Sequence, residues 1–317
     1  MYETVEMRKV MADWLEQKML EDENAIILDA DLARANGTLE LKRRMPERFI
    51  DVGVAECNMA SIGAGLAAYG FKPFIFSFCP FVTRRICDQV TISIIYARQN
   101  VKIVGTDPGL SAALNGGTHM TLEDIGVMRS IPGMVIFEPV DGDQLAKALP
   151  QIYDYDGAIY IRLYRKAAPL TVFNKEDYQF DLFQADTIQE GTDVTLFASG
   201  IEVKEAVEAA KLLAKEGIRA EVINIHTMKP IDREAVVLSV KKTGCAVTCE
   251  NHNIIGGLGS AVAEVLADEY PAPLEYIGMK DSFSEVGKLD YVIKKYHMDA
   301  ESIREAAKKC IAKKEMK

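Results

Sequence analysis

At 317 residues, 49% hydrophobic and 26% charged, the chain has the composition of a globular protein long enough for two cores. A net charge of −10 argues against a nonspecific nucleic-acid or anionic-membrane partner. No apolar run reaches the ~18–20 residues of a membrane helix. Met1-Tyr2-Glu3-Thr4 shows no signal-peptide pattern, and the six cysteines form neither a disulfide framework nor a metal-ligand spacing, so a cytoplasmic location is expected.

In chain order, an amphipathic helix is predicted over Arg8–Leu20. Short apolar strands follow at Ala25–Leu28, Phe49–Val52, Phe71–Phe76, Val101–Gly105, Val135–Glu138 and Ala158–Arg162. Helical patterns alternate with them at Asn58–Ala68, Phe81–Tyr96, Thr121–Arg129 and Gly142–Tyr153. The alternation predicts an α/β fold with a mostly parallel sheet covered on both faces. The period fails over 171–189, expected to be a connection between domains. A second α/β pattern then runs through Val194–Ala198, a helix over Val203–Glu216, Ala220–Ile225, Asp232–Lys241, Ala246–Glu250, Gly256–Glu269, Leu274–Gly278 and Ala300–Lys314. The expected architecture is two consecutive three-layer α/β domains, 1–170 and 190–317.

Asp51-Val52-Gly53-Val54-Ala55-Glu56 places one carboxylate between an apolar strand and a helix of small residues, Ala60-Ser61-Ile62-Gly63-Ala64-Gly65. A carboxylate desolvated by a strand end and facing a helix N-terminus suits proton exchange with a nitrogen heterocycle. Alone, such a glutamate is more often a cap partner or a surface charge. Phe78 and Phe81 have the spacing of core aromatics, and His119 follows a glycine-rich loop, Gly116-Gly117-Thr118. The order of these residues gives them more weight than any has alone.

Arg48-Phe49-Ile50-Asp51-Val52-Gly53-Val54-Ala55-Glu56, Phe76-Ser77-Phe78-Cys79-Pro80-Phe81, Asp88-Gln89 and Gly116-Gly117-Thr118-His119 resemble the pyrimidine-domain motifs of transketolases. Ile225-His226-Thr227-Met228-Lys229-Pro230, Glu250-Asn251-His252 and Gly256-Gly257-Leu258-Gly259-Ser260 are similar to that family's C-terminal domain. The resemblance implies a thiamine-diphosphate-dependent ketol transferase. In it, Glu56 hydrogen-bonds the aminopyrimidine ring nitrogen, Phe78 and Phe81 stack on that ring, and Asp31 approaches the cofactor. His119 faces the substrate as a proton-transfer or oxyanion-stabilising group. Arg8 and Arg162 lie near positions where the family binds a sugar-phosphate tail, which guanidinium suits because it can hold two oxygens at once.

The Gly-Asp-Gly…Asn motif with which transketolases hold Mg²⁺ and the diphosphate has no counterpart here. The resemblance therefore implies the C-terminal half of a split enzyme. A separate N-terminal subunit would bind Mg²⁺ and the diphosphate, in an α2β2 heterotetramer acting on sugars of carbohydrate and pentose-phosphate metabolism. The substrate loop departs from the family pattern, with Thr106-Asp107 for Thr-His, Leu114-Asn115 for an acidic pair, and Ala35 for a serine. Asp107 and Asn115 are thus candidate substrate residues, and an unusual or modified anionic sugar is expected. The alternatives are the β subunit of a 2-oxoacid dehydrogenase, a 1-deoxyxylulose-phosphate synthase, or a non-catalytic scaffold partner.

Overall fold

The computed structural model describes residues 2–174 and 177–316; Lys175 and Glu176, inside the expected connection, lie outside the described residues. Twelve strands form two sheets among these residues. They are β1 (Ala25–Asp29), β2 (Phe49–Asp51), β3 (Lys72–Phe78), β4 (Lys102–Thr106), β5 (Val135–Phe137), β6 (Ile159–Leu163), β7 (Asp186–Gln189), β8 (Val194–Ala198), β9 (Ala220–Asn224), β10 (Thr227–Lys229), β11 (Ala246–Asn253) and β12 (Leu274–Met279). The first sheet has the order β10-β5-β6-β4-β3-β1-β2 and the second β12-β11-β8-β9-β7. Every pairing is parallel except β10 with β5 and β7 with β9. β1, β4, β6, β8 and β9 are buried along their whole length, as continuous apolar runs in helix-covered parallel sheets should be.

The two sheets are tied together more closely than a free connection would allow. β7 lies within the stretch expected to link the domains, and it closes the edge of the second sheet on β9. Phe173, Phe180 and Leu182 of that stretch are buried. β10 belongs by sequence to the second pattern, yet it adds antiparallel to β5 of the first sheet. β7 and β10 are both short, mixed polar edge strands without an apolar run, so their pairing is set by the surface they meet.

Between the sheets lies a buried ionic node. Arg162, fully buried, donates to Asp124 Oδ2 and to Glu138 Oε1, each at 2.7 Å, and to the backbone oxygen of Asn251 on β11 at 2.6 Å. The Tyr160 hydroxyl donates to Asp124 at 2.7 Å. Burial alone would raise the Asp124 carboxyl; Arg162 beside it holds it below its ordinary value. The Asn251 side chain accepts from Leu110 N at 2.8 Å and donates to Pro108 O at 2.9 Å, gripping the loop after β4 from the other sheet. Gly109, at φ 52°, is required there: a Cβ would stand 2.3 Å from Asn251 oxygens.

Candidate active site

The carboxyl ends of the parallel strands β6, β4, β3, β1 and β2 open on one edge of the first sheet, where ligands of such sheets gather. After β2, Gly53 turns the chain at φ 70° and Glu56 becomes the first residue of the helix Glu56–Ala68. That helix is built of small residues because it lies close on the sheet. A Cβ on Gly63 would come within 3.0 Å of Ile75 on β3. The packing fixes Glu56 in place, leaving it 4% exposed.

The segment after β3 departs from the single helix expected over Phe81–Tyr96. A short helix, Cys79–Val82, stops at Thr83, which has φ −120° and ψ −91° and whose hydroxyl donates to Cys79 O at 2.6 Å. A 3₁₀ turn (Arg84–Ile86) and a π-helical stretch (Val90–Tyr96) follow. Breaks of this kind often mark functional segments, and here the break aims a side chain. Arg85 Nη1 meets Glu56 Oε1 at 2.6 Å, and its guanidinium lies 3.8 Å over the Phe81 ring. Glu56, Arg85 and Phe81 thus form one stack.

Phe78 and Phe81 stand 6.1 Å apart at 56°, and both meet the His119 ring nearly edge-on, at 5.6 and 5.3 Å. His119 is half-buried on a tight loop. Ala113 takes a left-handed conformation at φ 46°, Gly116 has φ 79°, and the His119 N–H donates back to Gly116 O at 2.9 Å. The Thr118 hydroxyl shares a 2.9 Å hydrogen bond with His119 Nδ1. Strained non-glycine backbone persists where surrounding contacts over-determine it. A buried carboxylate next to two aromatic faces fits a flat nitrogen heterocycle, the pyrimidine part of thiamine diphosphate. Among the described residues, no group of three or more His, Cys, Asp or Glu could hold a metal ion.

A second cluster lies one ring away. Asp107, at the end of β4, has φ 55°, is 3% exposed and pairs with Arg165 Nη2. Burial raises its carboxyl, and Arg165 opposes that rise. Arg165 lies 5.1 Å over the other aromatic, Phe78. Arg165 and Arg8 both donate to Ala35 O, at 3.3 and 2.8 Å. Beneath them, Asp29 accepts from Asn36 at 2.8 Å, and Asn36 accepts from Thr106 at 2.9 Å. Burial pushes the Asp29 carboxyl up to about 6.

The structure therefore brings Glu56, Phe78, Phe81 and His119 into one corner and sets Arg8 and Asp107 beside it. Asp31 is exposed just past β1, with its N–H donating to Asp51 at 3.1 Å. Asn115 is exposed on the His119 loop. Arg162 requires a correction: with its guanidinium inside the interdomain node and no exposed surface, it cannot reach a sugar tail. Arg165, three residues on, keeps 19% of its side chain exposed beside Asp107 and Phe78. Sequence reasoning also missed Arg85, which the break at Thr83 turns toward Glu56, and Asn251, far away on β11.

Residues 3–171 match the transketolase pyrimidine binding domain and residues 184–303 the transketolase C-terminal domain. The chain is 50% identical, over 95% of its length and 93% of the relative's, to the 6-deoxy-6-sulfo-D-fructose transketolase subunit SqwH of Clostridium sp. (strain MSTE9). It is 35% identical to an apulose-4-phosphate transketolase subunit of Phocaeicola vulgatus, over 96% and 97% of the two chains. A solved split-gene transketolase, described as an inactive β4 tetramer, superposes with a TM-score of 0.88 at 37% identity, covering 97% of this chain and 98% of that one.

Proposed function

The chain belongs to the transketolase family, and on that premise we propose that it is the C-terminal subunit of a split transketolase. With a separate N-terminal subunit it moves a two-carbon ketol unit from a ketose with an anionic or modified end to an aldose. The observation that carries this is the Glu56 carboxylate, buried at the head of its helix beside Phe78, Phe81 and His119. The related subunits named for sulfofructose and apulose 4-phosphate support a donor outside the common ketose phosphates.

Thiamine diphosphate, when bound, would supply a nucleophilic carbon. Glu56 would hold a proton at the pyrimidine ring nitrogen, and Phe78 and Phe81 would orient that ring by their faces. Arg85, clamped between Glu56 and Phe81, keeps the carboxylate and the aromatic wall in register. His119 has Nδ1 engaged by Thr118, so Nε2 exchanges a proton with the substrate. Arg8 and Arg165 hold the anionic end of the sugar beside Ala35. Asp31 and Asn115 border the cofactor and substrate sides. The partner subunit holds Mg²⁺ and the diphosphate, the assembly is α2β2, and it works in the cytoplasm.

Co-expression with an N-terminal subunit carrying Gly-Asp-Gly…Asn tests the proposal. The co-purified pair should bind thiamine diphosphate and transfer a ketol unit from ketose donors. Each chain alone should do neither. Micromolar cofactor affinity of this chain by itself, measured by calorimetry, would overturn the shared site.

A further inference from the structure

At the rim of the site each arginine already carries a carboxylate of its own. Glu6 accepts from Arg8 Nε and Nη2 at 2.9 and 2.7 Å, while Arg8 Nη1 goes to Ala35 O. Asp107 pairs with Arg165 Nη2, while Arg165 Nη1 reaches the same Ala35 oxygen. The two guanidinium groups thus converge on one point and are compensated charge for charge. Arg165 is 19% exposed and Arg8 27%, so both reach the surface, whereas the Asp107 side chain is 5% exposed. Asp107 cannot swing aside. Its backbone is left-handed, its N–H donates to Leu163 O at 3.1 Å, and Asn251 grips the loop that follows through Pro108 O and Leu110 N. Lys166, Tyr164 and Cys79 are other titratable groups coupled to it by charge.

We infer that the Arg8–Glu6 and Arg165–Asp107 pairs form a charge-compensated tail site that selects a ketose ending in a monoanionic sulfonate over one ending in a dianionic phosphate. The inference rests on the ketol-transferase reading and adds the residues that set its specificity. A sulfonate and a phosphate present the same three acceptor oxygens to guanidinium donors. They differ in charge, one unit against about −1.5 to −2 at neutral pH. Attraction to two arginines is offset by repulsion from the fixed Asp107 carboxylate and the exposed Glu6, so the hydrogen bonds remain while extra negative charge gains little and meets Asp107 at short range. A site with the arginines alone would favour the dianion.

The test uses the assembled two-subunit enzyme and three donors identical except at the far end, which carries sulfonate, phosphate or hydroxyl. For the unaltered enzyme, kcat/KM should favour sulfonate over phosphate at pH 7.5. The two should converge below pH ~6, where the phosphate becomes a monoanion. Asp107→Asn keeps the shape and tolerates a left-handed backbone. It should shift the phosphate-to-sulfonate ratio of kcat/KM toward phosphate by about tenfold. Glu6→Gln, on the exposed side of the site, should shift it in the same direction by less, and serves if the Asp107 variant does not fold. Preference for phosphate in the unaltered enzyme, or equal change of all three donors in both variants, would overturn the inference. Absence of transfer from every donor would instead count against the ketol-transferase reading itself.

Discussion

β6 and the residues just after it carry two arginines into different settings. Arg162 has its donors taken up by Asp124, Glu138 and the Asn251 carbonyl, with no exposed surface and with groups from both sheets around it. Arg165 shares itself between one carboxylate, one carbonyl and the face of Phe78, and keeps an open side. The same chemical group is a rivet in one place and a partly exposed donor in the other. What separates them is whether the protein itself satisfies the donors. The seam around Arg162 is a network of buried charge in which the carboxylates depend on its guanidinium. The corner around Glu56 and Arg165 is charge and aromatic surface arranged at an edge and completed from outside.

If that division holds, changes in the corner alter activity without altering stability, and changes in the seam do the reverse. Glu56→Gln is the sharpest attempt to break it. In the assembled complex it should lower ketol transfer by about 10²–10⁴-fold, the range for loss of a positioned acid–base group, with the melting temperature unchanged. Near-normal turnover would remove Glu56 from the chemistry. Arg162→Met is the counterpart in the seam. It leaves Asp124 and Glu138 buried without their cation, and urea denaturation should show a loss of about 3–5 kcal/mol. A variant as stable as the parent but unable to transfer ketol units would move Arg162 back to the site.

The sequence was most legible where chemistry and periodicity coincide. The strands read from the sequence are runs of mostly apolar residues, and Glu56, Phe78, Phe81 and His119 lie at or just past strand ends or on a glycine loop. β7 and β10 were not legible, because Asp186–Gln189 and Thr227–Lys229 lack the apolar run that marks the equally short β2 and β5, and they are defined by their antiparallel partners at the sheet edges. The interruption at Thr83 was hidden for another reason. Phe81–Tyr96 has a helical period throughout, and only the local φ and ψ of Thr83 reveal that the chain turns to send Arg85 toward Glu56. Arg162 was misplaced because spacing along a strand cannot show which of two nearby arginines faces a second sheet. That distinction depends on Asn251, far away in sequence, and on the ion pairs it helps enclose.

The seam should also be where acid acts. His226, beside β10, is buried against Phe137 and Phe180, with Nε2 bonded to Gln184 O at 2.7 Å. Burial lowers its pKa from 6.5 to about 4. A base whose folded pKa is depressed contributes stability above its unfolded pKa and loses it as pH falls through the folded one. The affected window is therefore pH 6.5 down to 4, and the full effect is roughly 3 kcal/mol. Asp186, raised to about 6 by burial, works in the opposite sense. The comparison must therefore be between variants rather than of one curve. His226→Asn should flatten the acid limb of stability against pH relative to the parent, and an identical slope would show that the seam is insensitive to this proton.

The smallest effect should come from the aromatic wall. Phe81→Leu keeps an apolar side chain of similar reach but removes a ring face from the expected pyrimidine site, and with it the surface under the Arg85 guanidinium. Aromatic stacking is worth about 0.5–1.5 kcal/mol beyond buried area, so the thiamine diphosphate Kd of the assembled enzyme should rise by about twofold to tenfold. Glu56 would still pair with Arg85, whose contact with the carboxylate does not depend on the ring. Turnover at saturating cofactor should therefore stay within a small factor of the parent, separating Phe81 from Glu56 within one corner. A large fall in saturated turnover with cofactor affinity unchanged would mean that Phe81 acts through Arg85 on the carboxylate. The stack of Phe81, Arg85 and Glu56 would then work as one unit.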